Sequence, residues 1–290
     1  RAMFVSGVNI AVTYPDTTKV LAALKSLDFL AVATHNMTPT AEFADVVLPK
    51  TTGLEEEEIS LDPSAQIVSY TNPVKAPEGA AKSDFEFVTE LARIFDAKGL
   101  KTQRFFPWKT KVEFNNYLLG TEIDRTSLKK KGWASFKYKM GNFDDPPIRT
   151  PSGKIELFSN LLQQVGVDPL PDFKLPARER ASKEIKSGYP MTLITGAREK
   201  TYHHSRYRDQ AWARKVSPYP IIQVNPDDAK SLNLSNNDWI GLETPGTESA
   251  CKLKVSITKE TDTGTVRTGM GWWLPEAKGP ERAIMEININ

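Results

Sequence analysis

One cysteine, three histidines and no long apolar run are present in this sequence, and each scarcity excludes something. Cys251 has no disulfide partner within the chain, and one thiol cannot hold an iron–sulfur cluster. It lies in the alternating run Ala250-Cys251-Lys252-Leu253-Lys254-Val255, which reads as a strand, where a lone cysteine behaves as a small hydrophobe. His35, His203 and His204 are too few and too scattered for an obvious zinc site. No stretch approaches the roughly 20 apolar residues that cross a bilayer. Charge of one sign is lacking too. The 38 Lys and Arg against 36 Asp and Glu leave +2, far from the concentrated basic face of a nucleic-acid binder. The basic cluster Lys129-Lys130-Lys131 reads as a solvated loop. An initiator Met and a leader-like segment are missing, and a strand-like run begins at once, so a fragment or processed chain is expected.

What is there fits an ordinary globular composition. The 290 residues, 39% hydrophobic and 26% charged, leave room for two domains. Residues 1–97 alternate strand-like and helical patterns: Met3–Val8, then a helix over Thr18–Leu27, then Phe29–Thr34, continuously apolar as in a parallel sheet buried on both faces. Thr38-Pro39 reads as N-cap and first turn of a helix, Asp45–Pro49 as the next strand, and Ser83–Phe95 as an amphipathic helix. This βαβ order predicts the end of a Rossmann-like α/β domain. Residues 98–188, rich in Lys, Pro and aromatics, read as a connecting region with a turn at Thr150–Lys154 and a helix near Glu156–Val165. From 189 to 290, five short runs (Met191–Thr195, Ile221–Val224, Trp239–Glu243, Ala250–Val255, Thr265–Arg267) and a helix at Pro226–Leu232 capped by Asn225 predict a compact β-barrel.

Several residues suit a ligand on local chemistry. Gly7 and Thr34 end neighbouring parallel strands, where α/β sheets bind nucleotides. Gly7 lets backbone approach a ligand, Asn9 offers both donor and acceptor, and Thr38 and Thr40 bring hydroxyls to a helix N-terminus. A plain turn at Gly7 and a plain cap at Thr38 remain open. Thr195-Gly196-Ala197-Arg198 ends a strand in a sharp turn, and Arg198 suits a pyrophosphate oxygen, worth about 1.5–3 kcal/mol. Thr201-Tyr202-His203-His204-Ser205 follows as a polar, aromatic loop, equally suited to plain surface; if extended, one of its two histidines at most faces a ligand. Trp272-Trp273 reads as core, Trp212 and Trp239 as core or interface, Glu55–Glu58 as a solvated loop, and Asp45 as a cap or ion-pair partner.

Three stretches, taken in order, carry a resemblance. They are Phe4-Val5-Ser6-Gly7-Val8-Asn9 with Tyr14-Pro15-Asp16; Thr34 through Thr38-Pro39-Thr40-Ala41-Glu42 to Val47-Leu48-Pro49; and Leu193–Arg198 through Asn225-Pro226-Asp227-Asp228-Ala229 to Gly271-Trp272-Trp273-Leu274-Pro275-Glu276. Together they resemble the C-terminal half of the dimethyl sulfoxide reductase family of molybdopterin enzymes. Residues 98–148 match nothing in it. Tyr202–Ser205, Asp238-Trp239 and Trp272–Glu276 look closest to the branch near acetylene hydratase and thiosulfate or polysulfide reductases.

The resemblance implies a chain that cradles molybdopterin guanine dinucleotide bearing molybdenum or tungsten, within an enzyme of metal-centred oxygen-atom or electron transfer. It implies a double-psi-like barrel at 189–290 and a loop Tyr202–Ser205 closing over the pterin. To Gly7, Asn9, Thr38, Thr40, Gly196 and Arg198 it adds His35, Tyr202, His203, His204, Ser205 and Trp272 as cofactor-binding candidates. It places the metal ligand and any iron–sulfur cluster in an N-terminal part outside this chain, so no catalytic or metal-binding residue is named; Cys251 is no substitute. The expected partners are that N-terminal part and an iron–sulfur electron-transfer subunit, with neither nucleic acid nor a membrane span. Departures exist. His35-Asn36 stands where many members carry an Asp that reads guanine, and Asn237-Asp238 replaces a Gly-Asp turn, which Asn tolerates. A Glu-Gly-Arg segment after Leu48-Pro49 is absent. The rivals are a structural relative that keeps the fold without cofactor, favoured by His35-Asn36 and disfavoured by Thr195–Arg198 and Trp272–Glu276, and an unrelated binding module with a similar barrel.

Overall fold

The structure, a computed structural model, describes all residues except 137–147, 171, 174, 176, 247–249, 278 and 280–290. Asp145-Pro146-Pro147 and Pro171 of the expected connecting region therefore lie outside the described residues. The elements run β1 (Ala2–Ser6), α1 (Ile10–Thr13), α2 (Thr17–Lys25), β2 (Phe29–Thr34), α3 (Pro39–Glu42), β3 (Val46–Pro49), β4 (Glu58–Asp62), β5 (Ile67–Thr71) and α4 (Asp84–Ala97). Then come α5 (Lys111–Leu119), α6 (Arg125–Lys131), β6 (Trp133–Ser135), α7 (Asn160–Gln164), α8 (Ala177–Arg180), α9 (Lys183–Gly188) and β7 (Thr192–Ala197). Last are α10 (Ala211–Val216), β8 (Ile221–Val224), α11 (Pro226–Ser231), β9 (Trp239–Leu242), β10 (Cys251–Ile257) and β11 (Thr265–Gly269). They form two compact units, one of residues 1–55, 75–107 and 182–290, the other of 56–74 and 108–181.

In the first unit, β1, β2 and β3 form a parallel sheet in that order, with Val5 opposite Val32 and Val32 opposite Val47. Parallel pairing needs crossovers, supplied by α1 with α2 and then by α3. Leu30–Ala33 of β2 are buried as the unbroken apolar run predicts. Leu30 and Val32 pack with Val5, Val12, Leu21, Leu24 and Ala41, and Trp273 from the far end of the chain joins the same core. Thr38 caps α3 by accepting from Ala41 N at 3.3 Å, with Pro39 in the first turn. Among the described residues Asp45 is neither helix cap nor ion-pair partner: its carboxylate accepts from Leu30 N at 2.7 Å, at the start of β2. Ser83 and Glu86 close a capping box on α4.

All five expected β-runs of the last hundred residues are strands, but the barrel is not closed. They form one open mixed sheet in the order β7-β11-β8-β10-β9, with no ladder joining β9 to β7 among the described residues. Its core is Ile222, Val224, Leu253, Val255, Val266 and Ala229 of α11. Gly196, at φ +99°, sits in a bulge where β7 and β11 slip register, a turn that a residue with a side chain rarely makes. Asn237 takes φ 74°, the left-handed turn expected of it. Cys251 lies half-buried in β10, and burial pushes its thiol up. Trp212 and Trp239 are not core: both are more than half exposed, Trp212 tilted against Tyr207 and Trp239 edge-packed on Tyr219.

The second unit corrects three readings. Residues 56–74 bring an antiparallel hairpin, β4 with β5, extended by β6, and α5 and α6 pack on it through Leu119, Leu128, Val68 and Tyr70. The Glu55–Glu58 run is therefore no solvated loop. Glu57 is bound to Arg125, Asn115 and Lys129, and Glu58 pairs with Lys111. Glu55 belongs to the first unit, buried and accepting from Thr52. Lys129–Lys131 form the last turn of α6, where cations favour the helix dipole, rather than a loop. The helix expected over Glu156–Val165 forms only across Asn160–Gln164, opening at the Ser159 cap. Among the described residues no helix is long and apolar enough to cross a membrane.

Candidate functional site

β1 ends at Ser6, Gly7 turns at φ +66°, and the chain drops into α1 with Asn9 at its head. Asn9 does not cap α1 with its side chain. Its amide instead joins three parts of the chain. Nδ2 donates to Ser205 Oγ at 2.8 Å, while Oδ1 accepts from Thr40 Oγ1 at 2.7 Å and from Thr40 N at 3.3 Å. Thr40 Oγ1 in turn accepts from Ala11 N at 3.0 Å. Asn36 Nδ2 adds a bond to Ser205 O at 3.4 Å. Both ends of Asn9 are thus engaged within the protein; its job is to fasten the loop after β7 onto the carboxyl ends of β1 and β2.

Beside this knot is a shallow, solvent-open cleft lined by Val12, Thr13, Arg198, Glu199, Tyr202, His204, Ser205, Arg208, Met270 and Gly271. Its floor is aromatic. Tyr202 is buried, with its hydroxyl donating to Ser217 O at 2.6 Å, and Trp272 meets its ring edge-on at 5.7 Å. Arg208, 1% exposed, lies against both rings, at 4.2 and 4.3 Å from their centroids. Such cation–π contacts are worth roughly 2 kcal/mol when desolvated. Arg208 Nε donates to His204 O at 3.3 Å and Nη2 to Gly271 O at 2.9 Å. Those two acceptors sit on left-handed backbone, His204 at φ 56° and Gly271 at φ +80°. Burial lowers the Arg208 pKa to about 10, which leaves it charged at neutral pH. His204 is pushed below its usual value by burial, then by the charges of Arg198 and His203.

The structure thus gathers Asn9, Thr40, Arg198, Tyr202, His204 and Ser205 in and around one cleft. It gives the other candidates different surroundings. His35 Nε2 is bound to Thr51 O at 2.8 Å, and Thr38 is a cap. Gly7 lies 3.3 Å, measured from where a Cβ would stand, from Lys50 Nζ, which also bonds Asp84 and Ser6. Gly196 shapes a bulge, His203 bridges to Arg206, and Trp272 is buried beneath the cleft. Arg208 and Gly271 were missed as site residues. Gly271 was legible as the residue before Trp272-Trp273, whereas one arginine among 38 cations carries no signal of burial. Among the described residues no group of three or more His, Cys, Asp or Glu is placed to hold a metal ion.

The chemistry of the cleft is that of an anion-binding surface with an aromatic floor. Arg198 and Arg208 face it, its one acid, Glu199, accepts from Ser217 Oγ at 3.2 Å, and Arg208 Nη1 is buried without a partner among the described residues. Residues 1–94 match the family described as molybdopterin oxidoreductase, and 191–286 the molydopterin dinucleotide binding domain. The chain is 31% identical to acetylene hydratase of Syntrophotalea acetylenica over 96% of its own length and 38% of the relative's. It is 26% identical to trimethylamine-N-oxide reductase of Haemophilus influenzae, covering 94% of this chain and 36% of that one. For dimethyl sulfoxide reductase DmsA of Escherichia coli the identity is 27%, over 90% and 35%. The solved acetylene hydratase from Pelobacter acetylenicus superposes with a TM-score of 0.84 at 30% identity, covering 99% of this chain and 40% of that structure. The chain therefore spans about two fifths of the length of these relatives. The family's cofactor is molybdopterin guanine dinucleotide with molybdenum, and its dinucleotide-binding domain is present here. The chain belongs to the molybdopterin oxidoreductases of the dimethyl sulfoxide reductase family.

Proposed function

We propose that this chain forms part of the cradle for molybdopterin guanine dinucleotide in an enzyme of metal-centred oxygen-atom or electron transfer. The observation that carries this reading is the Asn9–Thr40–Ser205 knot beside a cationic cleft, which joins the two family-matched segments into one binding surface. When bound, the cofactor's molybdenum or tungsten supplies the redox chemistry; the chain supplies binding, orientation and electrostatics. Arg198 offers an exposed guanidinium to phosphate or pterin oxygens. His204, its pKa pushed down by burial and then by Arg198 and His203, offers a ring nitrogen as donor or acceptor. Gly7, Thr38 and Gly196 shape the turns around the cradle, and Tyr202 and Trp272 form its floor. His203 stays in the proposed cofactor set as the outer residue of the loop, and His35 as the residue standing where many members read guanine.

In this reading, residues 1–97 are the end of the Rossmann-like domain, 98–188 the connection, and 189–290 a dinucleotide-binding domain whose open sheet completes a double-psi-type barrel. The metal ligand belongs to polypeptide matching the other three fifths of the relatives, with an iron–sulfur subunit as electron partner. The hydratase and reductase names of the relatives favour an enzyme over a structural subunit. Arg198→Ala in the intact protein tests the cradle: pterin per chain is expected to fall while the melting temperature of the cofactor-free protein holds. Full pterin occupancy in that variant removes Arg198 from the cradle.

A further inference from the structure

Arg208 is placed as few arginines are. It is 1% exposed, yet no carboxylate pairs with it among the described residues. Two of its nitrogens hold backbone carbonyls, of His204 and Gly271, and its guanidinium lies against the rings of Tyr202 and Trp272, which meet each other edge-on. Nη1 has no partner among the described residues. The acid whose charge it feels, Glu199, already accepts from Ser217, and the neighbouring cation Arg214 is paired with Glu276. A buried cation with an open donor is costly until an anion meets it. Stacking and backbone carbonyls offset part of that cost, but they bring no negative charge.

Resting on the cofactor reading above, we propose that Arg208 is the anion anchor of the cleft, its Nη1 donating to a phosphate oxygen of the bound dinucleotide. The guanidinium arrives already oriented, since its other two nitrogens are hydrogen-bonded and two rings pack against it, so little side-chain freedom is lost on binding. Arg198, exposed on the same cleft, gives a second cation for the same charge. Phosphate is favoured over a neutral pterin oxygen because the cleft carries two arginines and its one acid is already hydrogen-bonded.

The test uses the intact protein and the variants R208M and R208K. Methionine keeps an unbranched stem against the rings and removes every donor; lysine restores the charge without the fork. Guanosine monophosphate and pterin released by acid are measured per chain, before and after dialysis. The cofactor-free forms are melted with and without inorganic pyrophosphate. The expected result is at least tenfold faster cofactor loss from R208M, partial rescue in R208K, and pyrophosphate stabilisation that disappears in R208M. Should R208M fail to fold, the same comparison is made with R208K, whose pyrophosphate response is expected to be weakened. Unchanged retention and unchanged pyrophosphate response in the variants overturn the proposal. So does a variant whose cofactor-free melting drops while wild type ignores pyrophosphate, because Arg208 then only braces the loop. A wild-type protein without pterin sinks the cofactor reading; if its pyrophosphate response still vanishes in R208M, the anion anchor stands and its ligand is free phosphate.

Discussion

Asn9→Ala removes three hydrogen bonds at once and unfastens the loop after β7 from the α/β core. The bonds are Nδ2 to Ser205 Oγ and Oδ1 from Thr40 Oγ1 and Thr40 N. At about 1 kcal/mol net each they sum to about 3 kcal/mol. Thr40 is fully buried, so its hydroxyl proton and its amide are left without an acceptor, which moves the cost towards the upper end of roughly 2–5 kcal/mol. About 3 kcal/mol corresponds to a factor of ~150 in the folding equilibrium. Asn9→Asp keeps both contacts from Thr40, and the Ser205 hydroxyl can turn to donate, so its loss is expected to stay near 1 kcal/mol. Urea unfolding of the cofactor-free protein, followed by the fluorescence of its six tryptophans, measures both. Hydrogen exchange locates the effect, with faster exchange expected at residues 202–208 in Asn9→Ala. Equal stability of Asn9→Ala and wild type, to within about 0.5 kcal/mol, would refute the role given to Asn9.

Other expectations are local. Burial resists ionisation of Glu57, but hydrogen bonds from Tyr70, Arg125 and Asn115 and the Arg125 charge outweigh it and hold the carboxyl at about 2. Its folded-state pKa lies below the unfolded value, so its stabilisation is complete above about pH 5 and is lost as pH falls towards 2. Urea midpoints measured from pH 6 to pH 2 should show this slope in wild type and a flatter one in Glu57→Gln. Leu253→Ala, at a fully buried position of β10, should cost about 2–5 kcal/mol by the same assay. Ser83→Ala breaks the capping box of α4 and should cost about 1 kcal/mol. Gly271→Ala keeps ordinary contact with Val12 but strains a left-handed turn, costing about 1–2 kcal/mol and weakening the hold of Gly271 O on Arg208.

The regular parts of the fold were legible because their signals are local. Leu30–Ala33 form an unbroken apolar run, Ser83 and Glu86 stand at capping-box spacing, and each run of the last hundred residues alternates between turn residues. Closure of the barrel was not legible, since strand order depends on pairings far apart in sequence. The β4–β5 hairpin escaped for a different reason. Its first strand begins in an acidic run, and its stability rests on Arg125 and Asn115, more than fifty residues away. In the site, Asn9 and Ser205 were each visible as polar residues beside turns, but their 2.8 Å contact spans 196 positions. Arg208 could not be found at all, because burial of an arginine depends on the two rings that the fold brings to it.

The most direct test of the account is the cofactor content of the intact protein that carries this chain. Molybdenum and tungsten are measured by elemental mass spectrometry, and pterin and guanosine monophosphate after acid release, all on one sample. The account predicts close to one metal atom per chain, accompanied by pterin and guanosine monophosphate. A folded protein of full length with neither pterin nor metal, even after expression with both metals supplied, would contradict it and leave a structural relative that keeps the cradle without its cofactor.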